Sequence, residues 1–264
     1  MRSRVRGGAL AVLAGCLALA GCGRGQDDEL TPSPTRTVTV TPSPTLQPPD
    51  RVPTGGATGF DDQVVWAQGN TLHVGRQALD LSPVAVEDVV ATPTGAYVLA
   101  RGELWSVDLQ RAEGAGLPRV ERVGLSRDGR SLLVDLAGDT RRRAYDVGTG
   151  RLVGGRAPAA LTAAERRTGP GEYAVTAAAD GSPEVTSATG EPVEVAGLPD
   201  RFEPRTWPTA STVAGLVTSA AGESSVVSCS LAGRARCRTL GAVDGSEEVV
   251  LAVAALPDRG PSRG

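Results

Sequence analysis

The chain has 264 residues and a formal net charge of −3, with 27 arginines, no lysine, and 30 aspartates and glutamates. This length allows one or two domains. Nucleic-acid binders need cations arranged along one face, because phosphate contacts supply most of their affinity, and an acidic chain without a basic stripe is unsuited to that. We therefore expect no nucleic-acid partner.

The first 21 residues have the pattern of a secretory signal peptide. Arg2, Arg4 and Arg6 form a basic start, and fifteen small or apolar residues follow over 7–21. A basic start, a short apolar stretch and a small-residue boundary are typical of such a peptide. The apolar run is short for a membrane-spanning helix, which needs about 20 residues. Removal of the peptide would take away three arginines and no acid, which leaves a net charge of −6.

The apolar run ends in Leu19-Ala20-Gly21-Cys22, after which the chain becomes polar. This boundary resembles the lipobox of bacterial lipoproteins, whose cysteine thiol receives a diacylglycerol before cleavage on its N-terminal side. The resemblance implies lipidation of Cys22 and attachment to the outer face of the cytoplasmic membrane. A second Leu-Ala-Gly-Cys ends at Cys16, but cleavage there would leave an apolar tail on the mature chain. The alternative is an ordinary signal peptide with a chance cysteine.

Residues 22–60 form a linker rich in threonine and proline, with TPSPT at 31–35 and again at 41–45. Such a composition buries little apolar surface and is typical of disordered or polyproline-like chain. Thirty extended residues at about 3.1 Å each would reach about 90 Å. The sequence therefore predicts a disordered tether between the membrane and a folded domain, and its Thr/Ser-Pro density suggests O-glycosylation as a second hypothesis.

From residue 61 to residue 260 the chain consists of short apolar runs separated by turn residues, which predicts an all-β domain. Corresponding turns fall at Gly75, Gln110, Gly150, Gly190 and Gly233. Their spacing is near 40 residues, and this period is typical of the blades of a β-propeller. Residues 261–264 are a short tail.

Each stretch of about 40 residues is one repeat unit, which corresponds to one blade. The first unit lacks an innermost strand, and the C-terminal residues 247–256 can supply it by pairing beside 63–67. A ring of five blades closed in this way exposes no long sheet edge. The segments LSRDGRSLLV and YDVGTGRLV resemble repeats of WD40-like, TolB-like and YVTN-type propellers, although the GH and WD dipeptides are missing. With the lipobox and linker, the whole resembles an actinobacterial-type lipoprotein, and the resemblance implies a platform for binding. A β-sandwich is the alternative fold.

Cys229 and Cys237 are separated by seven residues that contain Gly233. A hairpin turning at 232–234 would place the two cysteines opposite each other, which predicts a cross-strand disulfide in an oxidising compartment. A metal pair and a redox pair are the rival interpretations. Two thiols without a nearby histidine make a poor zinc site, and this spacing is not that of a redox pair.

Residues that could carry catalysis are few, and we expect no cofactor or metal. His73 is the only histidine, no G-x-S-x-G motif occurs, and its TLHVG context predicts a strand residue. Glycosidases need two carboxyl groups across the sugar. Candidate carboxylates occur as adjacent pairs at 61–62, 87–88 and 247–248, but neighbours on a strand point to opposite faces.

Two further features are candidate surface contacts. Trp207, in PRTWPTAS, is a candidate surface contact near a loop, but burial in the domain core is the favoured interpretation. Arg141, Arg142 and Arg143 form the densest run of charge, and each could add about 1 kcal/mol of attraction to an anionic membrane. The alternative for this run is a solvated outer strand.

Together these patterns predict a lipid-anchored, extracytoplasmic, non-catalytic domain that binds a protein or an envelope polymer. An envelope hydrolase of the glycosidase type is one alternative, and it requires two carboxylates about 5–10 Å apart at the centre of the ring. An accessory subunit of a membrane complex is another alternative.

Overall fold

A computed structural model describes residues 35–41, 48–56, 60, 63–117, 119–153, 157, 173–178, 182–187, 189–193, 195, 197–231 and 236–254. The predicted signal peptide, Cys22 and the tail over 261–264 lie outside these ranges. Within them, regular secondary structure consists of β-strands alone, which confirms the all-β prediction. The described residues include no helix that is long and apolar enough to cross a membrane.

The strands are short and are joined mostly by tight turns. In chain order they are β1 (Thr35–Thr37), β2 (Thr39–Thr41), β3 (Val65–Gln68), β4 (Thr71–Val74), β5 (Gln77–Asp80), β6 (Asp88–Thr92), β7 (Gly95–Ala100), β8 (Glu103–Val107), β9 (Arg111–Gly114), β10 (Val120–Leu125), β11 (Ser131–Leu136), β12 (Arg143–Asp146), β13 (Tyr173–Ala177), β14 (Pro183–Ser187), β15 (Phe202–Thr209), β16 (Thr212–Thr218), β17 (Ser224–Ser230), β18 (Arg236–Val243), β19 (Val249–Leu251) and β20 (Val253–Ala254).

These strands form five separate sheets, and none of them closes into a barrel within the described ranges. Consecutive strands within a sheet are antiparallel neighbours, as hairpin connections require. The strand orders are β1-β5-β4-β3-β19 in sheet 1, β2-β9-β8-β7-β6-β20 in sheet 2, β10-β11-β12 in sheet 3, β13-β14 in sheet 4 and β15-β16-β17-β18 in sheet 5.

Buried side chains form four clusters, each built from residues of two sheets. The clusters join sheets 1 and 2, sheets 2 and 3, sheets 4 and 5, and sheets 1 and 5. Sheet 2 illustrates the cause, because successive strand residues point to opposite faces. Val98 packs towards sheet 1, and its neighbours Tyr97 and Leu99 pack towards sheet 3. The central strands therefore bury both faces and read as continuous apolar runs.

The last two strands connect sheets 1 and 2. β19 pairs antiparallel with β3 through Val249–Leu251 and 66–68. The predicted pairing of 247–256 beside 63–67 is thus confirmed for residues 249–251 alone. The chain then continues into β20, which pairs in parallel with β6. The amide of Ala252, between the two strands, donates to the carbonyl of Val65 at 2.9 Å, and the Ala252 carbonyl accepts from the Thr206 hydroxyl at 2.8 Å. The C-terminal residues thus contact three sheets.

Residues 35–41 and 48–56, which we call the outer strap, follow the outer edges of sheets 1, 2 and 3. β1 pairs in parallel with β5, β2 pairs in parallel with β9, and Arg51 forms an isolated bridge with Arg151. Val38 and Val52 of the strap are buried, at 4% and 0% exposure, in the clusters between sheets 1 and 2 and between sheets 2 and 3. This part of the segment predicted to be a disordered linker instead packs on the domain.

The second half of the outer strap is held mainly through its backbone. The amide of Val52 donates to the carbonyl of Gly150 at 2.8 Å, and the carbonyl of Pro53 accepts from the Tyr97 hydroxyl at 2.9 Å. The carbonyl of Pro49 accepts from the Tyr145 hydroxyl at 3.2 Å. Prolines keep a carbonyl acceptor although they lack an amide donor, so a proline-rich segment can still be hydrogen-bonded along its length.

Candidate functional site

A cavity of about 290 Å³ lies where β6, β15, β19 and β20 meet, and we call it the carboxylate pocket. Glu87 and Asp88 line it from the start of β6, Glu248 precedes β19, and Arg205 lines it from β15. Members of two of the three carboxylate pairs in the sequence therefore face the same cavity. Glu247 is not among its lining residues, and the pair at 61–62 lies outside the described residues.

Several polar groups of the carboxylate pocket already have partners in the protein. Oε1 of Glu87 accepts from the Arg101 amide at 2.9 Å, and Nη2 of Arg205 lies 2.9 Å from Oε1 of Glu203. Glu87 and Glu248 are exposed. A catalytic acid that must stay protonated near neutral pH usually sits in an apolar enclosure. Water-facing carboxylates suit polar contact with a ligand better than general acid catalysis.

His73 is a structural residue of β4, as its sequence context predicts. Its ring stacks on Trp66 of β3 with a centroid separation of 3.7 Å and an interplanar angle of 3°. Burial lowers its pKa from 6.5 to about 4, so the ring is neutral at pH 7. The described residues include no cluster of three or more His, Cys, Asp or Glu side chains suited to a metal ion.

The predicted disulfide between Cys229 and Cys237 is confirmed. The two cysteines are directly paired across β17 and β18, eight positions apart in the sequence. Cys229 is fully buried in the cluster between sheets 4 and 5. The turn residues at 232–235, where the hairpin was expected to reverse, lie outside the described residues.

The favoured interpretation of Trp207 as a core residue is confirmed, and the alternative of a surface contact is wrong. Trp207 belongs to β15, is 2% exposed, and packs with Phe202 and Val213 in the cluster between sheets 4 and 5. Two prolines, at 204 and 208, gave this stretch the appearance of a loop. The strand accommodates them with shifts in the pairing of β15 with β16.

The arginine run at 141–143 is only partly a free basic surface. Arg143 alone belongs to a strand, β12, and it lies 3.5 Å from a carboxylate oxygen of Asp139. Arg142 makes a two-pronged contact with Asp135 at 2.7 and 2.8 Å, and these hydrogen bonds lower the pKa of the Asp135 carboxyl. Arg141 is exposed in the turn. Because two of the three charges are balanced locally, the run offers less attraction to an anionic membrane than its sequence suggests.

A second cavity, which the sequence did not predict, lies between sheets 2 and 3, and we call it the arginine cleft. It has a volume of about 560 Å³, and Arg101 and Arg119 line it. Both arginines have positive φ angles, 51° and 49°. The local sequence gives one indication of this unusual backbone. Arg101-Gly102 occupies a two-residue hairpin turn, where Asn-Gly is the usual pair.

No protein-family model matches this chain, and no curated protein matches its sequence. A functional proposal therefore depends on the sheets, the two cavities and the sequence features described above.

Proposed function

We propose that the chain is a lipid-anchored, non-catalytic binding domain on the outer face of the cytoplasmic membrane, built as a five-bladed β-propeller. In this proposal sheets 1 to 5 are the blades and β19 closes the ring beside β3. The observation that carries it is the face-to-face stacking of five sheets through four buried clusters. A β-sandwich would instead bury one face of each of two sheets, whereas sheets 1, 2 and 5 each contribute to two clusters.

The non-catalytic part of the proposal rests on the described side chains. The only histidine is neutral at pH 7 and stacked on Trp66. The carboxylates Glu87 and Glu248 face water. The disulfide between Cys229 and Cys237 supports an oxidising compartment, because disulfides persist mainly outside the cytosol. The partner would be a protein or an envelope polymer, and the chain could serve as an accessory subunit of a membrane complex.

The anchor is tested by metabolic labelling of cells with an alkyne fatty acid, with Cys22→Ala compared with Cys16→Ala. We expect label on the wild type and on Cys16→Ala, and none on Cys22→Ala. Label that depends on Cys16 would move the anchor site, and no label on any form would mean an ordinary signal peptide. Crosslinking in intact cells, followed by mass spectrometry of wild type and Cys22→Ala, then identifies the partner. A protein captured only by the anchored form is the expected result.

A glycosidase-type hydrolase is the second candidate function, because Glu87, Asp88 and Glu248 line one pocket. Retaining and inverting enzymes both need a pair of carboxyl groups at the scissile bond. A panel of aryl glycosides tests it. Turnover that is lost in both Glu87→Gln and Glu248→Gln would favour this function over simple binding, whereas turnover equal to the buffer blank would remove it.

A further inference from the structure

The arginine cleft is a preformed cavity whose volume lies in the range of small-molecule sites. Its walls come from the turn between β7 and β8, the segment after β9, and the start of β10. Leu104, Leu117 and Val120, all buried, form an apolar floor. Small residues leave the space open, because four lining positions carry no side chain or a single methyl group: Gly102, Gly114, Gly116 and Ala137.

Backbone hydrogen bonds hold these walls together. The amide of Val120 donates to the carbonyl of Gly102 at 2.7 Å, and the amide of Ala137 donates to the carbonyl of Arg119 at 2.8 Å. The amide of Arg101 donates to the Glu87 carboxylate at 2.9 Å. Walls that are hydrogen-bonded before a ligand arrives lower the cost of ordering on binding.

The two arginines of the cleft have strained backbones. Arg101 occupies the first position of the two-residue turn between β7 and β8, with φ 51°, and Arg119 has φ 49°. Glycine or asparagine adopts this left-handed conformation at lower cost than arginine. Only one other non-glycine residue in the described ranges, Arg201, has a positive φ, and it does not line the cleft. Costly backbone conformations of this kind concentrate at functional sites.

Four exposed charges surround the apolar floor: Arg101, Arg119, Glu103 and Glu121. Among the described residues, no ion pair or side-chain hydrogen bond engages any of the four. Their charges are thus available to a ligand, in contrast to Arg142 and Arg143, which are paired with acids.

We propose that the arginine cleft binds a short peptide whose free carboxylate and free amine both lie in the cleft. Guanidinium groups bind carboxylates in paired hydrogen bonds, so Arg101 and Arg119 take the carboxylate. Glu103 and Glu121 take the ammonium group, and the floor contacts an apolar side chain. A purely anionic ligand would face repulsion from the two glutamates. This inference rests on the proposed function in one respect, namely that the domain binds a ligand without catalysis. It does not depend on the lipid anchor.

The test is calorimetric titration of the full chain, purified in detergent, with the tripeptide Ala-Leu-Ala. Three forms are compared: one with free termini, one with an acetylated N-terminus and one with an amidated C-terminus. We expect binding of the free form and a loss of about tenfold or more for each capped form, since a hydrogen bond to a charged group is worth about one decade of affinity. Equal binding of all three forms, or no heat at millimolar peptide, would overturn the proposal.

Asparagine variants separate a functional role of the arginines from a structural one. Arg101→Asn and Arg119→Asn remove the guanidinium and suit the left-handed backbone, so we expect a weaker interaction by about tenfold or more and an unfolding midpoint that is unchanged or higher. Arg201→Asn is the matched control at φ 58° and should leave binding unchanged. Equal weakening by Arg201→Asn, or full binding by both cleft variants, would contradict the proposal. Fatty-acid labelling tests the anchor independently.

Discussion

Gly150→Ala should release the second half of the outer strap, whereas Gly190→Ala should leave the structure nearly unchanged. Both glycines lie in turns with positive φ, 68° and 81°. A Cβ atom on Gly150 would lie 2.1 Å from the carbonyl oxygen of Val52, which is far inside van der Waals contact. A Cβ atom on Gly190 would meet no atom within 4 Å. The pair therefore separates the cost of backbone strain from the cost of losing the strap.

The difference between the two variants follows from what Gly150 contacts. A left-handed alanine costs about 1 kcal/mol in either turn. At Gly150 the strap must also move, which exposes the fully buried Val52 at about 1.5 kcal/mol and breaks the hydrogen bond from the Val52 amide at about 1 kcal/mol. We expect Gly150→Ala to lower the free energy of unfolding by about 3–4 kcal/mol and Gly190→Ala by about 1 kcal/mol.

Urea unfolding followed by tryptophan fluorescence measures this difference, because Trp66, Trp105 and Trp207 are all buried. Trypsin provides a second readout. Arg51 lies in the strap, and its Nε donates to the carbonyl of Thr149 at 2.9 Å. Cleavage after Arg51 should accelerate in Gly150→Ala and not in Gly190→Ala.

Equal destabilisation by the two variants, together with equal cleavage after Arg51, would refute this reasoning. It would mean that residues 48–56 contribute nothing to the stability of the sheets. The segment would then behave as the disordered linker that its composition predicts.

Three other predictions concern the domain core. Reduction of the bond between Cys229 and Cys237 should lower the free energy of unfolding by about 2.5 kcal/mol, the entropy cost of a loop this small; urea midpoints that agree with and without a phosphine reductant would contradict it. Because the pKa of His73 is lowered to about 4, the unfolded chain takes up a proton first, so stability should fall as the pH drops from about 6.5 to about 4. For a fully buried ring, this pKa shift would correspond to a loss of about 3 kcal/mol in the free energy of unfolding. Because the His73 ring is partly exposed, solvent screening reduces the expected loss to about 1–2 kcal/mol. In His73→Gln the urea unfolding midpoint should depend less on pH across this range. A pH dependence identical to that of the wild type would mean that other groups cause the effect. Trp207→Ala should lower the free energy of unfolding by about 3–5 kcal/mol in the same assay, as for a large core side chain. A loss below about 1 kcal/mol would contradict the burial of Trp207 in the core.

Part of the fold could be predicted from local patterns. Short apolar runs between turn residues are sufficient to predict strands, because strand formation needs only alternation and reversal points within a few residues. The cysteine pair is equally local, since a hairpin of this length brings positions 229 and 237 opposite each other. The pairing of residues 249–251 with 66–68 is not local, but the missing strand of the first unit made it predictable.

The packing of the outer strap on the sheets was not predicted, because the polar composition of the segment hides its short alternating pattern of valines. Threonine and proline dominate residues 31–50, yet valine occurs at 38 and 40 between threonines. One buried valine in an otherwise polar segment becomes stabilising only when two sheets already present a gap for it. The surface alternative for Trp207 had a related origin, since its flanking prolines suggest a loop until the pairing of β15 with β16 is known.

The amino-acid sequence by itself determined that the described domain is all-β and that Cys229 and Cys237 are joined, because both follow from spacing along a few residues of chain. Only the tertiary structure decided which residues share a cavity. Glu87 and Glu248 are 161 positions apart and meet because the C-terminal strands lie beside β3 and β6. Arg101 and Arg119 line one cleft because sheets 2 and 3 stack face to face. Such contacts depend on how sheets pack, which no short window of sequence records.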